Sequence, residues 1–281
     1  MTARALQEAV DAEVGTSRMA PQRGALDRSG LFVGSVEKAF RVLEAFSVSK
    51  RLMSIAEIAR AADLDRSATQ RLIHTLEQLG YISRVPDSTL YGLASKVLGL
   101  SYNYLRAKEL VERASPHLLE LSRSLGETTN LHELDGPDVV FLARFPGRHL
   151  LNVDFAVGFR VPAAFTASGT AILSKMTEAA SRRVLQATTL NAVTPFTETA
   201  PEKLMARIRL AASLGYSIVQ NQTMVGDISV AAAILDHGGR PIGAINISVP
   251  TTRWSLVSAE EKLAPHVQVA AAAITQAGCR A

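Results

Sequence analysis

Hydrogen-bonding side chains crowd the segment that follows Asp65. Five of the next six residues carry groups suited to nucleic acid, namely Arg66, Ser67, Thr69, Gln70 and Arg71. Arginine can make two hydrogen bonds to a guanine and glutamine two to an adenine, whereas serine and threonine hydroxyls suit phosphate oxygens. The segment could therefore read a base sequence. The alternative is a solvated helix face, because arginine and glutamine are common on protein surfaces.

A second polar pair lies near the C-terminus, in the segment AINISV. Asn246 and Ser248 are two residues apart, so on a strand both side chains point to one face, opposite Ile245, Ile247 and Val249. Buried amide and hydroxyl groups need hydrogen-bond partners. A bound carboxylate could be one partner, and hydrogen bonds within the sheet are the alternative. This face is a candidate binding surface for a small acid.

The composition limits the function classes. The chain has 281 residues, of which 47% are apolar and 20% charged, typical of a globular protein large enough for two domains. No apolar run reaches the ~18 residues of a membrane span, and the start lacks a signal peptide's apolar core. Cys279 is the sole cysteine, which excludes a disulfide framework. We expect a cytoplasmic protein that does not enter membranes.

The formal charge is unevenly distributed. The net charge is +4, and all of this excess lies before Glu109. An anionic partner is therefore expected at the N-terminal part and not at the neutral remainder. So small an excess is equally compatible with a solubilising surface.

Three helices and two short strands are predicted between Leu31 and Leu93. Ser35 is a candidate cap of the first helix, and Ser54 with Glu57 forms the capping box of the second. The third is RSATQRLIHTLEQLG, with Leu79 among its inward residues. The segment YISRVPDSTLYGL is typical of two strands joined by a turn.

This order of elements is that of a winged helix-turn-helix, whose second motif helix enters the DNA major groove. The polar start of the third helix would then face base edges and phosphates. Ser54, at the start of the preceding helix, is placed for a contact to the DNA backbone. Arg84 lies on the wing and could reach a phosphate or the minor groove.

The rest of the chain predicts a linker and an α+β domain with an antiparallel sheet. Residues 94–125 have helical periodicity, with a break expected before Pro116. Strands and helices then alternate, HLLNVDFAV being one of the strands, and Ser258 with Glu261 would cap the last helix. We predict four parts: a flexible arm at 1–30, a winged helix-turn-helix at 31–93, a linker helix at 94–108 and an effector-binding domain at 109–281.

Five ordered blocks of the sequence resemble the IclR family of bacterial transcriptional regulators. They are SVEKAFRVLEAF with MSIAEIARAADLDRSATQRLIHTLEQLGYISR, then GFRVPAAFTASGTAILS, LGYSIV, VGDISVAAAI and PIGAINISVP. Within the family, VGFRVPAAFTASG, Ser229 and Asn246 are similar to regulators of aromatic-acid and β-ketoadipate catabolism. The loop VQNQTMVG departs from the family because it carries no acid.

The resemblance implies a ligand-responsive, DNA-binding regulator of catabolic genes. Its second domain would be GAF-like and hold a small acidic effector, and the chain would act as a homodimer or homotetramer on a palindromic operator. The effector would be an aromatic acid or its ring-cleavage product, with a small aliphatic 2-oxo acid as the alternative. Ser168 and Ser229 fall at the family's pocket positions, beside Asn246 and Ser248.

Two further features could help to bind an acid. Thr166 and Gly169 flank a predicted helix start, whose backbone N–H groups could receive a carboxylate. Arg160 could be the counter-ion through a bidentate pair, or a surface arginine.

An enzyme is the alternative from another class. A hydrolase would centre on Ser168 with a histidine such as His132 as its base. The sequence has no Gly-x-Ser-x-Gly elbow, phosphate loop or dinucleotide fingerprint, so we expect no catalytic activity and no cofactor. It also shows no histidine and carboxylate spacing typical of a metal site.

Overall fold

The computed structural model describes residues 30–47, 49–148 and 155–278. The chain forms two compact units, which divide between Tyr104 and Leu105. The expected N-terminal arm lies outside the described residues except for Gly30, and so does most of the segment HLLNVDFAV.

The first unit has three helices and a small three-stranded sheet. Its elements in chain order are α1 Gly34–Glu44, β1 Met53–Ser54, α2 Ile55–Ala62, α3 Arg66–Gln78, β2 Ile82–Arg84 and β3 Leu90–Leu93. The sheet order is β1-β3-β2, with both pairings antiparallel. The predicted hairpin is present, and Met53 and Ser54 add a strand that the sequence did not indicate.

Local capping explains where two of these helices begin. Ser54 and Glu57 form the expected capping box of α2, and Asp65 accepts the backbone N–H of Ala68 at 2.7 Å to start α3. The expected cap of α1 was wrong, because Ser35 lies inside that helix, which Val33 precedes without a side-chain cap. Leu79 was also wrongly placed inward and is 51% exposed.

The core of this unit is small and apolar. Its fully buried side chains come from all three helices and from β2, and include Val42, Ile58, Ile73 and Ile82. Packing of α2 and α3 against this core fixes which face of α3 remains exposed.

The second unit is an antiparallel six-stranded sheet with helices on both faces. Its strands are β4 Thr128–Asp135, β5 Asp138–Phe145, β6 Arg160–Pro162, β7 Ser217–Gln220, β8 Asp227–Leu235 and β9 Pro241–Pro250. Its helices are α5 Glu109–Leu125, α6 Ala167–Leu173, α7 Glu178–Ala187, α8 Pro201–Leu214 and α9 Leu256–Gly278, and α4 Val97–Arg106 spans the boundary between the units. The sheet order is β6-β5-β4-β9-β8-β7.

The two faces of the sheet bury different side chains. Ile245, Ile247 and Val249 pack with α5 and α9 in the larger core. The opposite face carries Ala231 and Ala244 and packs against α6. The expected alternation along β9 is therefore confirmed, and Asn246 and Ser248 lie on the α6 side.

Two expected boundaries in this unit were wrong. The helical stretch breaks at residues 107–108 and continues through Pro116, which removes only one backbone donor. The last helix begins at Leu256, because Ser255 and Ser258 exchange the capping hydrogen bonds instead of Ser258 and Glu261. Within the described helices, none has the length and apolar character of a membrane span.

Candidate functional site

The exposed start of α3 carries most of the predicted nucleic-acid contacts. α2 ends at Asp63 in a left-handed conformation (φ 51°, ψ 55°), and the chain turns into α3 within three residues. Arg66, Ser67, Gln70 and Arg71 are all exposed on the first turns of α3. The helix therefore presents two guanidinium groups, an amide and a hydroxyl on one accessible surface.

Thr69 does not share this surface. Its side chain is fully buried, and its hydroxyl donates to the backbone carbonyl of Asp65 at 2.8 Å. Thr69 lies on the same face of the helix as Ile73 and Leu76, which are core residues. Thr69 is therefore removed from the predicted DNA-contacting set.

Ser54 and Arg84, the two predicted DNA contacts outside α3, differ in how far their hydrogen-bonding groups are already engaged. The backbone N–H of Ser54 and its hydroxyl both donate to Glu57 Oε2 at 2.8 Å, and these two bonds lower the pKa of Glu57. The hydroxyl hydrogen of Ser54 is therefore already engaged within the capping box. Arg84 is exposed on β2, and its Nε donates to the carbonyl of Ser88 at 2.7 Å. This bond engages only Nε of an otherwise exposed side chain, so Arg84 stays in the predicted DNA-contacting set.

A polar cavity lies in the second unit, between α6 and the sheet face that carries Asn246. Its volume is about 40 Å³. Its polar lining comes from four strands, from the start of α6 and from the loop before β8; the members are Asn130, His132, Arg144, Thr166, Ser168, Thr223, Asp227, Ser229, Asn246 and Ser248. Phe141, Phe155, Val161 and Val219 supply the apolar part.

A hydrogen-bonded row crosses the floor of this cavity. Arg144 donates to Asn130 at 3.0 Å, and Asn130 donates to Asn246 at 2.8 Å. The amide nitrogen of Asn246 then donates to Ser229 Oγ at 2.6 Å and to Ser248 Oγ at 3.2 Å. Strand register causes this arrangement, because the three longer side chains lie on residues that pair directly across β5, β4 and β9.

Ser168 and His132 form a second polar contact in the cavity. The Ser168 hydroxyl lies 3.0 Å from His132 Nδ1, and both residues are buried. Burial and the positive charge of Arg144 lower the pKa of His132 to about 3. The imidazole is therefore neutral at physiological pH and a poor proton acceptor for a nucleophilic serine.

One carboxyl group also reaches the cavity. Asp227 begins β8, and its Oδ1 is buried without a hydrogen-bond partner among the described residues. Burial raises the pKa of Asp227 to about 7, although the charge of Arg144 acts in the opposite direction. Asp227 directly follows the loop VQNQTMVG, which itself carries no acid.

Family models match both units of the chain. The IclR helix-turn-helix domain matches residues 35–86, and the C-terminal domain of bacterial transcriptional regulator IclR matches residues 102–276. This chain belongs to the IclR family. Members of the IclR family are transcriptional regulators and not enzymes, so the hydrolase alternative is excluded.

Individual relatives agree with this assignment. The Pca regulon regulatory protein of Pseudomonas putida is 33% identical over 235 residues, covering 83% of this chain and 80% of its own. A transcriptional regulator from Rhodococcus sp. RHA1 has a TM-score of 0.78 at 31% identity, covering 89% of this chain and 99% of its own.

A third comparison shows the fold alone. An IclR homologue from Microbacterium hydrocarbonoxydans, solved in complex with 4-hydroxybenzoate, has a TM-score of 0.75 at 24% identity. It covers 88% of this chain and 100% of its own. The α+β architecture, with an N-terminal helix-turn-helix and a curled C-terminal antiparallel sheet, is therefore that of IclR structures.

In this IclR chain, Arg160 is not the arginine of the cavity. Its guanidinium lies 2.7 Å from Asp135 Oδ2 and 3.2 Å from Asp138 Oδ2, and its side chain is 11% exposed. These two carboxylates hold it at the β5–β6 edge of the sheet. The cavity arginine is Arg144, which sequence reasoning missed.

The start of α6 also differs from the expectation that its backbone N–H groups receive a carboxylate. The backbone N–H of Gly169 donates to the Thr166 hydroxyl at 2.9 Å, so it is already occupied by the helix cap. A Cβ at Gly169 would overlap the Ala163 carbonyl, so this glycine allows the close approach of backbone to backbone. Thr166 lines the cavity and Gly169 does not.

The cavity residues that were not predicted to bind the effector had only weak sequence signals. Asn130 and His132 are polar residues two apart in a predicted strand, the same spacing as Asn246 and Ser248. Arg144 ends the run DVVFLAR, and nothing in its neighbours shows that it faces inward. Only the pairing of β4 with both β5 and β9 brings these residues together.

Proposed function

We propose that this protein regulates catabolic genes by binding a palindromic operator through α3 and a small carboxylic acid in the cavity. The observation that carries the ligand assignment is the direction of the hydrogen bonds in the floor. Ser229 and Ser248 both accept from Asn246, which leaves each hydroxyl hydrogen to donate. Arg144 adds a positive charge to the same cavity.

These groups suit an anionic oxygen ligand. Hydrogen bonds from a guanidinium or a hydroxyl to a carboxylate are shorter and stronger than those between neutral groups. Phe141 and Phe155 have ring centroids 5.3 Å apart on the apolar side and could contact a ring. The similarity to the Pca regulon regulatory protein supports an aromatic acid or its ring-cleavage product as the effector.

A small aliphatic 2-oxo acid remains the second candidate, and the cavity volume favours it. About 40 Å³ accommodates roughly three water molecules, whereas a cavity that binds benzene measures about 150 Å³. An aromatic effector therefore requires displacement of lining side chains such as Phe155. A small 2-oxo acid would require less displacement of the lining side chains.

The proposed mechanism is a shift between two populations of conformers. An acid that binds one conformer more tightly raises its population and thereby changes the operator affinity. Two copies of α3 are required to read two operator half-sites, so the acting form would be a homodimer or a homotetramer.

The experiment is a comparison of acids on the purified full-length chain. Thermal unfolding is followed with benzoate-type acids, 2-oxo acids, dicarboxylic acids, amines and sugars, and operator binding is then measured with each stabilising compound. A bound ligand raises the melting temperature because it stabilises the folded state. Stabilisation by amines or sugars alone would refute the acid effector, and a response to 2-oxo acids only would select the second candidate.

A further inference from the structure

One oxygen of the Asp227 carboxyl group has no hydrogen-bond partner among the described residues. Its Oδ1 is buried and receives no hydrogen bond from the described residues, whereas Asn246 and Asn130 in the same cavity are hydrogen-bonded to other side chains. A buried acceptor that receives no hydrogen bond destabilises the folded state, because it has lost its bonds to water. A native protein that keeps such a group next to a cavity has an acceptor available for a ligand.

The position of Asp227 places this acceptor at one side of the proposed acid site. Asp227 and Ser229 are two residues apart on β8, so both point to the cavity face, and Ser229 pairs with Ser248 on β9. The cavity thus has hydroxyl donors and Arg144 for a carboxylate, and one acceptor that a carboxylate cannot satisfy.

We propose that Asp227 selects an effector that carries a hydrogen-bond donor besides its carboxylate, which makes the effector a hydroxylated acid. A hydroxybenzoate is one such acid and, like any aromatic effector, would displace lining side chains such as Phe155 on binding. The hydroxyl would donate to Oδ1 of Asp227, and the carboxylate would receive hydrogen bonds from Arg144 and the two serines. This inference rests on the proposed function, because it assumes that the acid occupies this cavity.

The charges around Asp227 are compatible with an accepting role. The other titratable groups of the cavity lining are Arg144 on β5 and His132 on β4. Arg144 favours the ionised carboxyl, and His132 has a pKa of about 3 and stays neutral. A donor bound to Asp227 would favour its ionised form, so binding near pH 7 would release protons.

Affinities of matched ligands test the inference. Isothermal titration calorimetry is performed with benzoate, 4-hydroxybenzoate and its 3-hydroxy isomer on the full chain and on Asp227→Leu. We expect the wild type to bind one hydroxylated acid about 10- to 100-fold more tightly than benzoate. Asp227→Leu should lose this preference, so that its affinities for benzoate and for the hydroxylated acid differ by no more than a few-fold.

Asp227→Asn provides a second measurement if the leucine variant does not fold. Titration in two buffers of different ionisation enthalpy counts the protons released on binding of the hydroxylated acid near pH 7. The wild type should release protons and Asp227→Asn should release none. The matched control is Asp236→Asn, because Asp236 follows the other end of β8 and is bonded to Arg240 outside the cavity.

The results that would overturn this inference differ from those that would overturn the proposed function. Equal affinities of the wild type for benzoate and both hydroxybenzoates would overturn the inference and leave the proposed function standing. Proton uptake on binding of the hydroxylated acid would show that a protonated Asp227 donates to the ligand carboxylate, and it would also overturn the inference. The same conclusion would follow if Asp227→Leu lost as much affinity for benzoate as for the hydroxylated acid. Stabilisation by no carboxylic acid of any type would overturn both.

Discussion

Asn130 on β4 and Asn246 on β9 pair directly across the sheet, and the amide nitrogen of the first donates to the amide oxygen of the second at 2.8 Å. Both side chains are buried. The contact joins Arg144 at one end of the polar row to Ser229 and Ser248 at the other. Orientation of the serine hydroxyls therefore depends on a side chain two strands away from Ser229.

Removal of the Asn246 side chain should destabilise the second unit. Asn246→Ala leaves the buried amide of Asn130 and the Ser229 hydroxyl without this partner, at a cost of about 1–3 kcal/mol. Urea unfolding measures the change. Ser248→Ala is the control, since it removes only the 3.2 Å bond at a half-buried residue and should cost less. Equal stability of Asn246→Ala and the wild type would contradict the role of the row.

Arg144→Gln should weaken binding of any carboxylate effector by about tenfold or more, because a charge-assisted hydrogen bond is lost. Titration calorimetry with an acid that stabilises the wild type measures the effect. Arg160→Gln is the matched control, because its guanidinium is engaged by Asp135 and Asp138. The same loss in both variants would indicate a general effect of charge and not a contact.

Arg71→Ala should cost roughly 1–3 kcal/mol of specific operator binding if Arg71 reads a guanine. The dependence of affinity on salt should persist, since phosphate contacts remain. Fluorescence anisotropy at several salt concentrations tests both statements. Gln78→Ala, at the exposed far end of α3, is the control. Unchanged affinity in both Arg71→Ala and Gln70→Ala would rule out α3 as the reading helix.

Asp227 should make the protein less stable as the pH rises toward 7. Its pKa is raised from an ordinary 3.8 to about 7, so the folded state holds the proton more tightly than the unfolded state does. Its contribution is favourable below pH 4 and is lost progressively up to pH 7. Asp227→Asn should remove this slope and be more stable than the wild type at pH 7.5. Urea unfolding at several pH values measures it.

His132 should remain neutral throughout the range in which histidines usually titrate. Its pKa is lowered to about 3, so it contributes stability above pH 6.5 that is lost as the pH falls toward 3. This loss opposes the gain from Asp227, and NMR is therefore the cleaner measurement. The imidazole signal of His132, assigned with His132→Gln, should not shift between pH 5 and 8. Titration of the signal near pH 6.5 would contradict burial of the ring.

Local patterns in the sequence identified much of this architecture. The capping residues Ser54 and Asp65 placed α2 and α3, because capping depends on residues three positions apart. The two-residue period of β9 correctly placed Asn246 and Ser248 on the face opposite Ile245 and Ile247. Motifs spread over most of the chain were enough to identify the IclR family.

Only the tertiary structure decided which polar residues meet. Arg144, Asn130 and Asn246 are separated by up to 116 residues, and the β5-β4-β9 order of the sheet brings them into one row. The same packing buries Thr69 and pairs Arg160 with two aspartates. Periodicity reports the face of an element but not the element packed against it, and Asp227 therefore could be placed in the cavity only from the assembled sheet.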